Sequence, residues 1–182
     1  LVEDDVRSVA VCLLHGYRNP EHEETIRAII EELAPGVSIS LASQVSPEIG
    51  EYDRVSTTVA NAFVLPVVDG YLRVLEEGLQ QAGVPASIRI MLSTGGLASP
   101  ETARRFPVRL LESGPAAGVL AAGYTGGAAG SRSVLAFDMG GTTAKAGVIL
   151  NGRALTTGHA LIGSYDRALP IQVATIDIFE VG

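Results

Sequence analysis

A short run of aspartate, glycine and threonine in FDMGGTTAKAGVIL (137–150) has the residue types that bind a phosphate group. Gly140 and Gly141 can take backbone angles closed to other residues and let a ligand approach the main chain. Their amides, with those of the two following threonines, would form a concave set of donors for an anion. The preceding aspartate would orient Mg²⁺ or its bound waters, since magnesium prefers carboxylate and phosphate oxygens. The candidate residues are Asp138, Gly140, Gly141, Thr142, Thr143 and Lys145.

The same residues also suit an ordinary tight turn, because Gly, Thr and Asp are common in β-turns. The run differs from the Walker A and Rossmann glycine-rich loops, in which a helix follows the loop, because here a second apolar strand follows. A phosphate loop between two strands indicates a different class of nucleotide-binding fold. Strand alternation leaves open which way Lys145 points. On these residues alone, a phosphate site and a plain turn are both possible.

The composition predicts a folded protein with a sizeable core. Of its 182 residues, 47% are hydrophobic and 18% are charged, and the formal net charge is −7. No run of lysine or arginine is present to follow a nucleic-acid backbone, which argues against nucleic-acid binding. No stretch reaches the ~18 apolar residues of a membrane span, and the first residues do not resemble an export signal. Together with a single cysteine, Cys12, these features predict a cytoplasmic protein.

Alternating strand and helix patterns predict an α/β fold that must position these residues. The apolar run 7–15 predicts a buried strand, 19–36 a capped helix and 37–43 a second strand, which together form a βαβ unit. A long helix follows at 46–83, and Pro66 would kink or split it. Further predictions are a strand at 87–93, a helix at 99–106, an extended segment at 107–113, an Ala/Gly-rich helix at 114–130, a hairpin at 132–152 and a strand at 176–182.

Other polar residues are weaker candidates for chemistry. His15 closes the first strand, at the edge where active sites of open α/β sheets gather, and is a candidate catalytic or substrate-binding residue. His22 lies too far along the chain from it for a standard metal pair and suits a solvated helix start. The remaining alternatives are ion pairing or substrate contact for Glu51, Tyr52 and Arg54, buried hydrogen bonding or pocket lining for Thr57, Thr58 and Asn61, and a ligand loop or plain turn at 93–96.

Several separate stretches resemble the hydantoinase A / 5-oxoprolinase family, within the superfamily of actin, sugar kinases and chaperone ATPases. The most specific combination is ESGPAAGV (112–119) followed about 20 residues later by DMGGT (138–142). Further similar stretches are LLHGYRNPEHE (13–23), SPEIGEYDRVSTTVANAFVLP (46–66) and STGGLAS (93–99), which follow the family's order. The resemblance thus covers nearly the whole chain.

The resemblance implies a ribonuclease-H-like mixed sheet with flanking helices, as in the actin-like ATPases. It implies a hydrolase that uses ATP and Mg²⁺ to open cyclic amide or imide rings of the hydantoin or 5-oxoproline type. A hydantoinase B-type subunit or domain is the implied partner. The Ala/Gly-rich helix starting near Gly114 would lie beneath the phosphate loop or point its positive end at an anion. Two alternatives are a subunit of an ATP-dependent ketone carboxylase and a non-catalytic nucleotide-binding or scaffold domain.

The resemblance also implies that residues 1–182 form a central piece of a longer polypeptide. Within it, 1–113 would form the βαβ and helical part, and 114–182 the Ala/Gly-rich helix and the hairpin. We expect such a piece to show little or no turnover alone. The chain departs from the family's commonest pattern at Ala144 and Lys145, where Ser or Thr and then Asp are usual, and at Gly16, where Ser is frequent.

Overall fold

The computed structural model describes residues 5–163 and 168–181, which form a mixed α/β structure in two compact units. The first unit comprises the described residues within 1–88, 99–108 and 161–173, and the second those within 89–98, 109–160 and 174–182. The units are therefore interleaved in sequence, whereas the sequence predicted one division after residue 113. Long-range hydrogen bonds explain part of this interleaving, since the N–H of Ile176 donates to the carbonyl of Ser93 over 2.8 Å.

The first unit begins with the predicted βαβ arrangement. Strand β1 (Ser8–Val11) pairs in parallel with β2 (Ser38–Leu41), and helix α1 (Glu21–Leu33) connects them. β1 is shorter than predicted because the chain turns after Leu13. The N–H of Gly16 donates to the carbonyl of Leu13 in this turn. The unit continues with α2 (Ala42–Val45), α3 (Glu51–Gln81), α4 (Pro100–Arg105) and β10 (Leu169–Ile171).

Helix α3 is the central element of the first unit and contacts β1, β2, β10, α2 and α4. It runs unbroken through Pro66, so the proline does not split it. The side chains that α3 buries are mostly polar, and Thr57, Thr58 and Asn61 are fully buried. The amide of Asn61 donates to Ser40 Oγ over 2.9 Å, and its oxygen accepts from the N–H of Val108 over 3.2 Å. These polar side chains are therefore buried hydrogen-bonding groups rather than pocket lining.

The second unit is built on the predicted hairpin. Strands β5 (Val134–Met139) and β6 (Ala144–Leu150) pair antiparallel, and β12 (Ile178–Val181) pairs with the other edge of β6. Helix α5 (Ser113–Ala128) packs on β5 and β6. The core between them is apolar and consists of Ala116, Val119, Ala136, Ile149 and Ile176.

Glycine permits the close approach of α5 to the sheet. A Cβ at Gly147 of β6 would lie 2.3 Å from Cγ2 of Val119 on α5, so alanine there would force the two elements apart. A Cβ at Gly126 would likewise lie 2.4 Å from Val134. The Ala/Gly-rich stretch is thus a helix packed tightly on a sheet, and the helix agrees with the sequence prediction.

The remaining elements are short, and the sequence predicted them poorly. Residues 107–113 were expected to be extended, which is wrong, because Pro107–Leu110 form a 3₁₀ turn that leads directly into α5. The other strands are only two or three residues long, too short for an alternating pattern to reveal. They are β3 (Ile90–Met91) with β4 (Leu97–Ala98), β7 (Arg153–Ala154) on β6, β8 (Thr156–Thr157) with β11 (Thr175–Ile176), and β9 (Ala160–Ile162) with β10.

Candidate functional site

The candidate phosphate loop is the turn that joins β5 to β6 in the second unit. Its last strand pair is Met139 with Ala144, and the N–H of Gly140 donates to the carbonyl of Thr143 over 3.0 Å to close the turn. Residues 140–142 are exposed and Thr143 is half-buried. The four predicted loop residues therefore lie together at the tip of the hairpin, open to solvent.

The two glycines of this turn are not required by the chain's own packing. Neither Gly140 nor Gly141 has a left-handed φ, so the backbone freedom expected from the sequence is not used there. A Cβ at Gly141 would meet nothing within 4 Å, and one at Gly140 would meet only the carbonyl of Thr143 at 3.9 Å. Unlike Gly147, these glycines leave open space above the main chain. That space is what a ligand approaching the backbone amides needs.

Asp138 lies one residue before the end of β5, directly opposite Lys145 of β6. Directly opposed residues in an antiparallel pair share a face of the sheet. Both line a cavity of about 330 Å³ between the hairpin and the first half of α5. The other walls are mostly apolar and come from Pro115, Gly118, Val119, Ala122, Ala136, Phe137, Ala146, Gly147 and Ile178. The exposed Asp138 carboxylate thus lies between this cavity and the glycine turn.

Lys145, the only lysine in the sequence, is held by two carboxylates. Its Nζ lies 2.5 Å from Oε2 of Glu112 and 3.5 Å from Oε2 of Glu180, and its side chain is only 19% exposed. The hydrogen bond from Lys145 to Glu112 raises the pKa of the ammonium group above its ordinary value. The structure therefore directs this charge to the start of α5 and to β12 and gives it an ion-pairing role within the unit.

Glu112 is a residue that the sequence did not single out. It precedes α5 in a left-handed conformation, with φ of 59°, which is uncommon for a residue other than glycine. Its ion pair with Lys145 ties the start of α5 to the hairpin. Gly114, in the first turn of α5, is exposed and has no neighbour within 4 Å of a Cβ position. Gly114 does not line the cavity, which Pro115 does.

His15 belongs to the first unit, whereas the hairpin belongs to the second. It is exposed, adopts a left-handed φ of 56°, and its ring meets that of Tyr17 edge-on at 6.0 Å. The backbone N–H of His15 donates to Glu51 Oε1 over 3.4 Å. The loop that carries it is therefore a fixed turn with an accessible imidazole.

A buried ion pair lies beneath this loop. Glu23 and Arg54 are both fully buried, with Oε1 of the first 3.6 Å from Nη2 of the second. Glu23 also accepts from the N–H of Leu13 over 3.0 Å, and Arg54 Nη1 lies 3.2 Å from Oε2 of Glu51. A Cβ at Gly16 would lie 2.3 Å from the Glu23 carboxylate, which explains glycine at this position. Arg54 therefore has a structural role.

The turn at 93–96 also has a structural role. Ser93 is buried, and its hydroxyl donates to the carbonyl of Arg109 over 2.8 Å and to that of Leu111. Gly95 has a left-handed φ of 82°, and a Cβ there would lie 2.6 Å from Leu120. The turn is held against α5.

Among residues 5–163 and 168–181, no three His, Cys, Asp or Glu side chains come together in an arrangement that would hold a metal ion. His15 and His22 therefore form no part of such a cluster. Asp138 would contact a metal ion as a single carboxylate. Protein sites for Mg²⁺ commonly use one or two carboxylates together with phosphates of the substrate.

Comparison with known proteins identifies the family of this chain. The hydantoinase/oxoprolinase family model matches residues 54–182, and the model of the family's N-terminal region matches residues 1–34. The chain belongs to the hydantoinase/oxoprolinase family. The first match contains the hairpin and α5, and the second contains His15.

Relatives in this family are much longer than the chain. The caprolactamase subunit alpha of Pseudomonas jessenii is 32% identical over 175 residues, which are 96% of this chain and 25% of that protein. The 5-oxoprolinase of Saccharomyces cerevisiae is 35% identical over 147 residues, 79% of this chain and 11% of that protein. The chain therefore spans a quarter or less of the length of these relatives.

Two solved structures of such relatives have the same fold as the chain. The crystal structure of the ATP-dependent caprolactamase from Pseudomonas jessenii superposes with a TM-score of 0.84 at 31% identity, over all of this chain and 26% of that one. The nucleotide-free structure of acetone carboxylase, from work on ATP-dependent acetone carboxylation, gives a TM-score of 0.83 at 25% identity, over all of this chain and 25% of that one. Both solved structures that share the fold of this chain thus come from ATP-dependent enzymes.

Proposed function

We propose that this chain forms part of the nucleotide site of an ATP-dependent enzyme that opens cyclic amide or imide rings. The observation that carries the proposal is the turn at Gly140 and Gly141. Its glycines face open space, and an exposed aspartate stands beside it. The ATP-dependent relatives support the same assignment. We further propose that the fold is the ribonuclease-H-like one of the actin-like ATPases, with the hairpin as one of its phosphate loops.

The residues at the tip of the hairpin fit a phosphate group. The amides of 141–143 and the two threonine hydroxyls would donate to phosphate oxygens, as in other backbone anion sites, while the N–H of Gly140 closes the turn. Asp138 would orient the waters of Mg²⁺, and the first turn of α5 near Gly114 would add its positive end. When bound, ATP would supply the phosphoryl group that turns the ring carbonyl oxygen into a leaving group. Positioning and charge neutralisation supply most of the rate in such transfers.

The chain's charged residues define the surroundings of this site. The ammonium of Lys145 is neutralised by Glu112 and Glu180, so it would support the hairpin rather than contact phosphate. Asp138 then keeps its negative charge available for a cation. Within the first unit, and apart from the hairpin, we propose His15 as a candidate catalytic or substrate-binding group, on the ground of its exposure.

The rest of the active enzyme would come from outside these 182 residues. We propose a cytoplasmic enzyme completed by a further length of polypeptide and by a hydantoinase B-type subunit or domain. The subunit naming of the caprolactamase relative supports a multi-subunit enzyme. We therefore expect the 182-residue chain alone to turn over little or no substrate.

Calorimetric titration of the full chain with MgATP tests the first step. We expect binding that weakens at least about 10-fold in Gly141→Val, because a branched side chain would block the approach to the amides. Gly158→Ala is the matched control, since a Cβ there also meets nothing within 4 Å of the chain. Equal loss in both variants would contradict the assignment of the turn. Absence of any nucleotide binding would favour a scaffold domain.

Stimulated ATP hydrolysis separates the two enzyme classes. In a full-length protein carrying this chain, hydantoin, 5-oxoproline or a lactam should raise the rate of ATP hydrolysis, and Asp138→Asn should lower it. The acetone carboxylase likeness supports ketone carboxylation as the second candidate. Stimulation by acetone with bicarbonate, and none by any ring compound, would establish that alternative.

A further inference from the structure

Glu112 stands at a position where glycine would be expected. It is the residue before helix α5, and its backbone is left-handed, with φ of 59° and ψ of 19°. Glycine adopts such angles readily, whereas they are unfavourable for a residue with a Cβ. The Glu112 side chain makes no capping hydrogen bond to α5. Local structure therefore does not explain a glutamate here.

The carboxylate of Glu112 forms an ion pair with a residue distant in sequence. Its Oε2 lies 2.5 Å from Nζ of Lys145, and the same Nζ lies 3.5 Å from Oε2 of Glu180. Both glutamate side chains are 46% exposed. Ion pairs between exposed side chains add little to the stability of a fold. The stability gained from this pair is therefore a poor reason for the unfavourable backbone of Glu112.

The ion pair joins the start of α5 to the hairpin that carries the candidate phosphate loop. Lys145 is the second residue of β6 and lies directly opposite Asp138 of β5. The cavity of about 330 Å³ described above is lined by these two residues from the hairpin and by Pro115 and Gly118 from α5. The Glu112–Lys145 pair thus connects the two elements that face each other across this cavity.

The first turn of α5 has backbone donors that the helix itself does not use. The first N–H groups of any helix lack a carbonyl partner within it. In α5 the first such bond runs from the N–H of Ala116 to the carbonyl of Glu112 over 3.0 Å, and Pro115 has no N–H. The unused donors of this turn are therefore the amides of Ser113 and Gly114, at the positive end of the helix dipole.

We propose that Glu112 is a positioning residue for the nucleotide site. Through Lys145 it holds the first turn of α5 beside the hairpin, so that the amides of Ser113 and Gly114 and those of the turn at 141–143 contact the same bound phosphates. This inference rests on the proposed function of the hairpin and names a residue that serves it without touching the ligand. The Glu112 carboxylate does not itself bind phosphate, because like charges repel.

A direct contact of Lys145 with phosphate is the competing interpretation, and it predicts the opposite effect of removing Glu112. If the lysine bound phosphate, Glu112 would compete with the ligand for it, and loss of Glu112 would tighten binding. Removal of a negative charge near a bound anion would also tighten binding. Weaker nucleotide binding after loss of Glu112 is therefore the signature of lost positioning.

Calorimetric titration of MgATP into the full-length protein that carries this chain tests the sign of the effect. Glu112→Gly should weaken binding about 10-fold, because α5 loses its tie to the hairpin while glycine keeps the left-handed backbone. Asn151→Gly is the matched control. Asn151 also has a left-handed φ, of 54°, lies just beyond the opposite end of β6, and should leave the affinity unchanged when replaced.

Thermal unfolding of the same variants separates positioning from stability. The melting temperature of Glu112→Gly should not fall, because the relaxed backbone offsets the loss of a partly exposed ion pair. A melting temperature that falls together with the affinity would assign Glu112 to the stability of the fold and overturn the proposal. Glu112→Gln, which keeps the side chain without its charge, should have an affinity between those of wild type and Glu112→Gly.

A double variant tests whether Glu112 acts through Lys145. Glu112→Gly combined with Lys145→Met should lose no more affinity than Lys145→Met alone, because both substitutions remove the same contact. Additive losses of affinity would show that the two residues act separately and would overturn the proposal.

Hydrogen exchange locates the contact on the protein. MgATP should slow exchange in peptides that cover 113–116 and 141–143 of the wild type, and only in the second of these in Glu112→Gly. Equal protection of both segments in the variant would show that α5 is positioned without Glu112, which would overturn the proposal.

The results also distinguish this proposal from the assignment of the hairpin. A wild-type protein that does not bind MgATP would overturn both. Binding that Gly141→Val weakens but Glu112→Gly leaves unchanged or tightens would keep the phosphate assignment of the turn and overturn the role of Glu112.

Discussion

The two units of the chain are stabilised by different kinds of core. Besides buried apolar side chains such as Leu41 and Ile171, the first unit contains a polar and ionic cluster, in which Glu23, Arg54 and Asn61 are fully buried. The centre of the second unit is an apolar cluster of alanine, valine and isoleucine side chains, in which Val119 packs against Gly147. In the first unit, charge and hydrogen bonding select which buried groups contact each other. In the second unit, side-chain volume sets the distance between α5 and the sheet.

This difference matches what each unit holds in place. The ionic centre fixes an irregular loop, because Glu23 accepts from the N–H of Leu13 and Arg54 donates to its carbonyl over 3.4 Å. In the second unit, Gly147 instead lets α5 pack closely on the hairpin that carries the candidate phosphate loop. We therefore expect the first unit to be sensitive to loss of charge and the second to added volume.

The largest expected effect is that of Arg54→Met in the first unit. Removing the guanidinium leaves the Glu23 carboxylate buried without a counter-charge, which should lower the free energy of unfolding by about 3–5 kcal/mol. Urea denaturation followed by circular dichroism measures the loss, and hydrogen exchange should localise it to β1 and α3. Arg73→Met, which breaks an exposed pair with Asp69 on the same helix, should cost far less, because solvent screens that pair. Similar losses in both variants would contradict the assigned role of the ionic core.

A smaller effect is expected from Gly147→Ala in the second unit. The added Cβ would meet Cγ2 of Val119 at 2.3 Å, and such overpacking should cost about 1–3 kcal/mol. Hydrogen exchange should rise in β5 and β6. Gly127→Ala on α5 is the control, because a Cβ there meets nothing within 4 Å and alanine favours a helix.

A double variant sharpens this result. Val119→Ala should recover part of the stability lost in Gly147→Ala, because it removes the atoms that the new Cβ would meet. Additive losses in the double variant would show that the two residues do not contact each other, and the volume argument for this unit would fail.

The ion cluster of Lys145, Glu112 and Glu180 should contribute least to the free energy of unfolding. Lys145→Gln should lower the free energy of unfolding by about 1 kcal/mol or less, since the pairs lie near the surface. The hydrogen bond to Glu112 raises the pKa of Lys145 in the folded state, so its contribution is complete below pH ~10.5 and is lost as pH rises through the folded-state pKa. The difference in stability between wild type and variant should therefore shrink only above that pH.

The pKa itself is directly measurable, because the sequence has one lysine. After reductive ¹³C-methylation, a single lysine signal should titrate above its ordinary range in the wild-type chain. Glu112→Gln should move that titration back to lower pH. An unchanged titration in Glu112→Gln would show that Glu112 is not the main partner of Lys145.

Local patterns allowed much of the fold to be predicted from the sequence. The helix predicted at 19–36 is found at Glu21–Leu33, and the hairpin predicted at 132–152 contains β5 and β6. Both have a strong signal within their own residues: acids and a proline at a helix start, and two apolar runs about a glycine turn. The short strands between 153 and 176 lack such a signal, because two or three residues show no period.

Sequence by itself determined the family, the α/β character and the position of the candidate phosphate loop, because each depends on local patterns that can be read along the chain. Only the tertiary structure decided which polar residues serve the fold. Lys145 meets Glu112 across 33 positions of sequence, and Arg54 meets Glu23 across 31. Pairings between distant residues follow from how the elements pack, and no local pattern encodes them. For the same reason, only the structure distinguishes Gly147 from Gly141. A Cβ at Gly147 would meet Val119 of α5, whereas a Cβ at Gly141 would meet nothing within 4 Å.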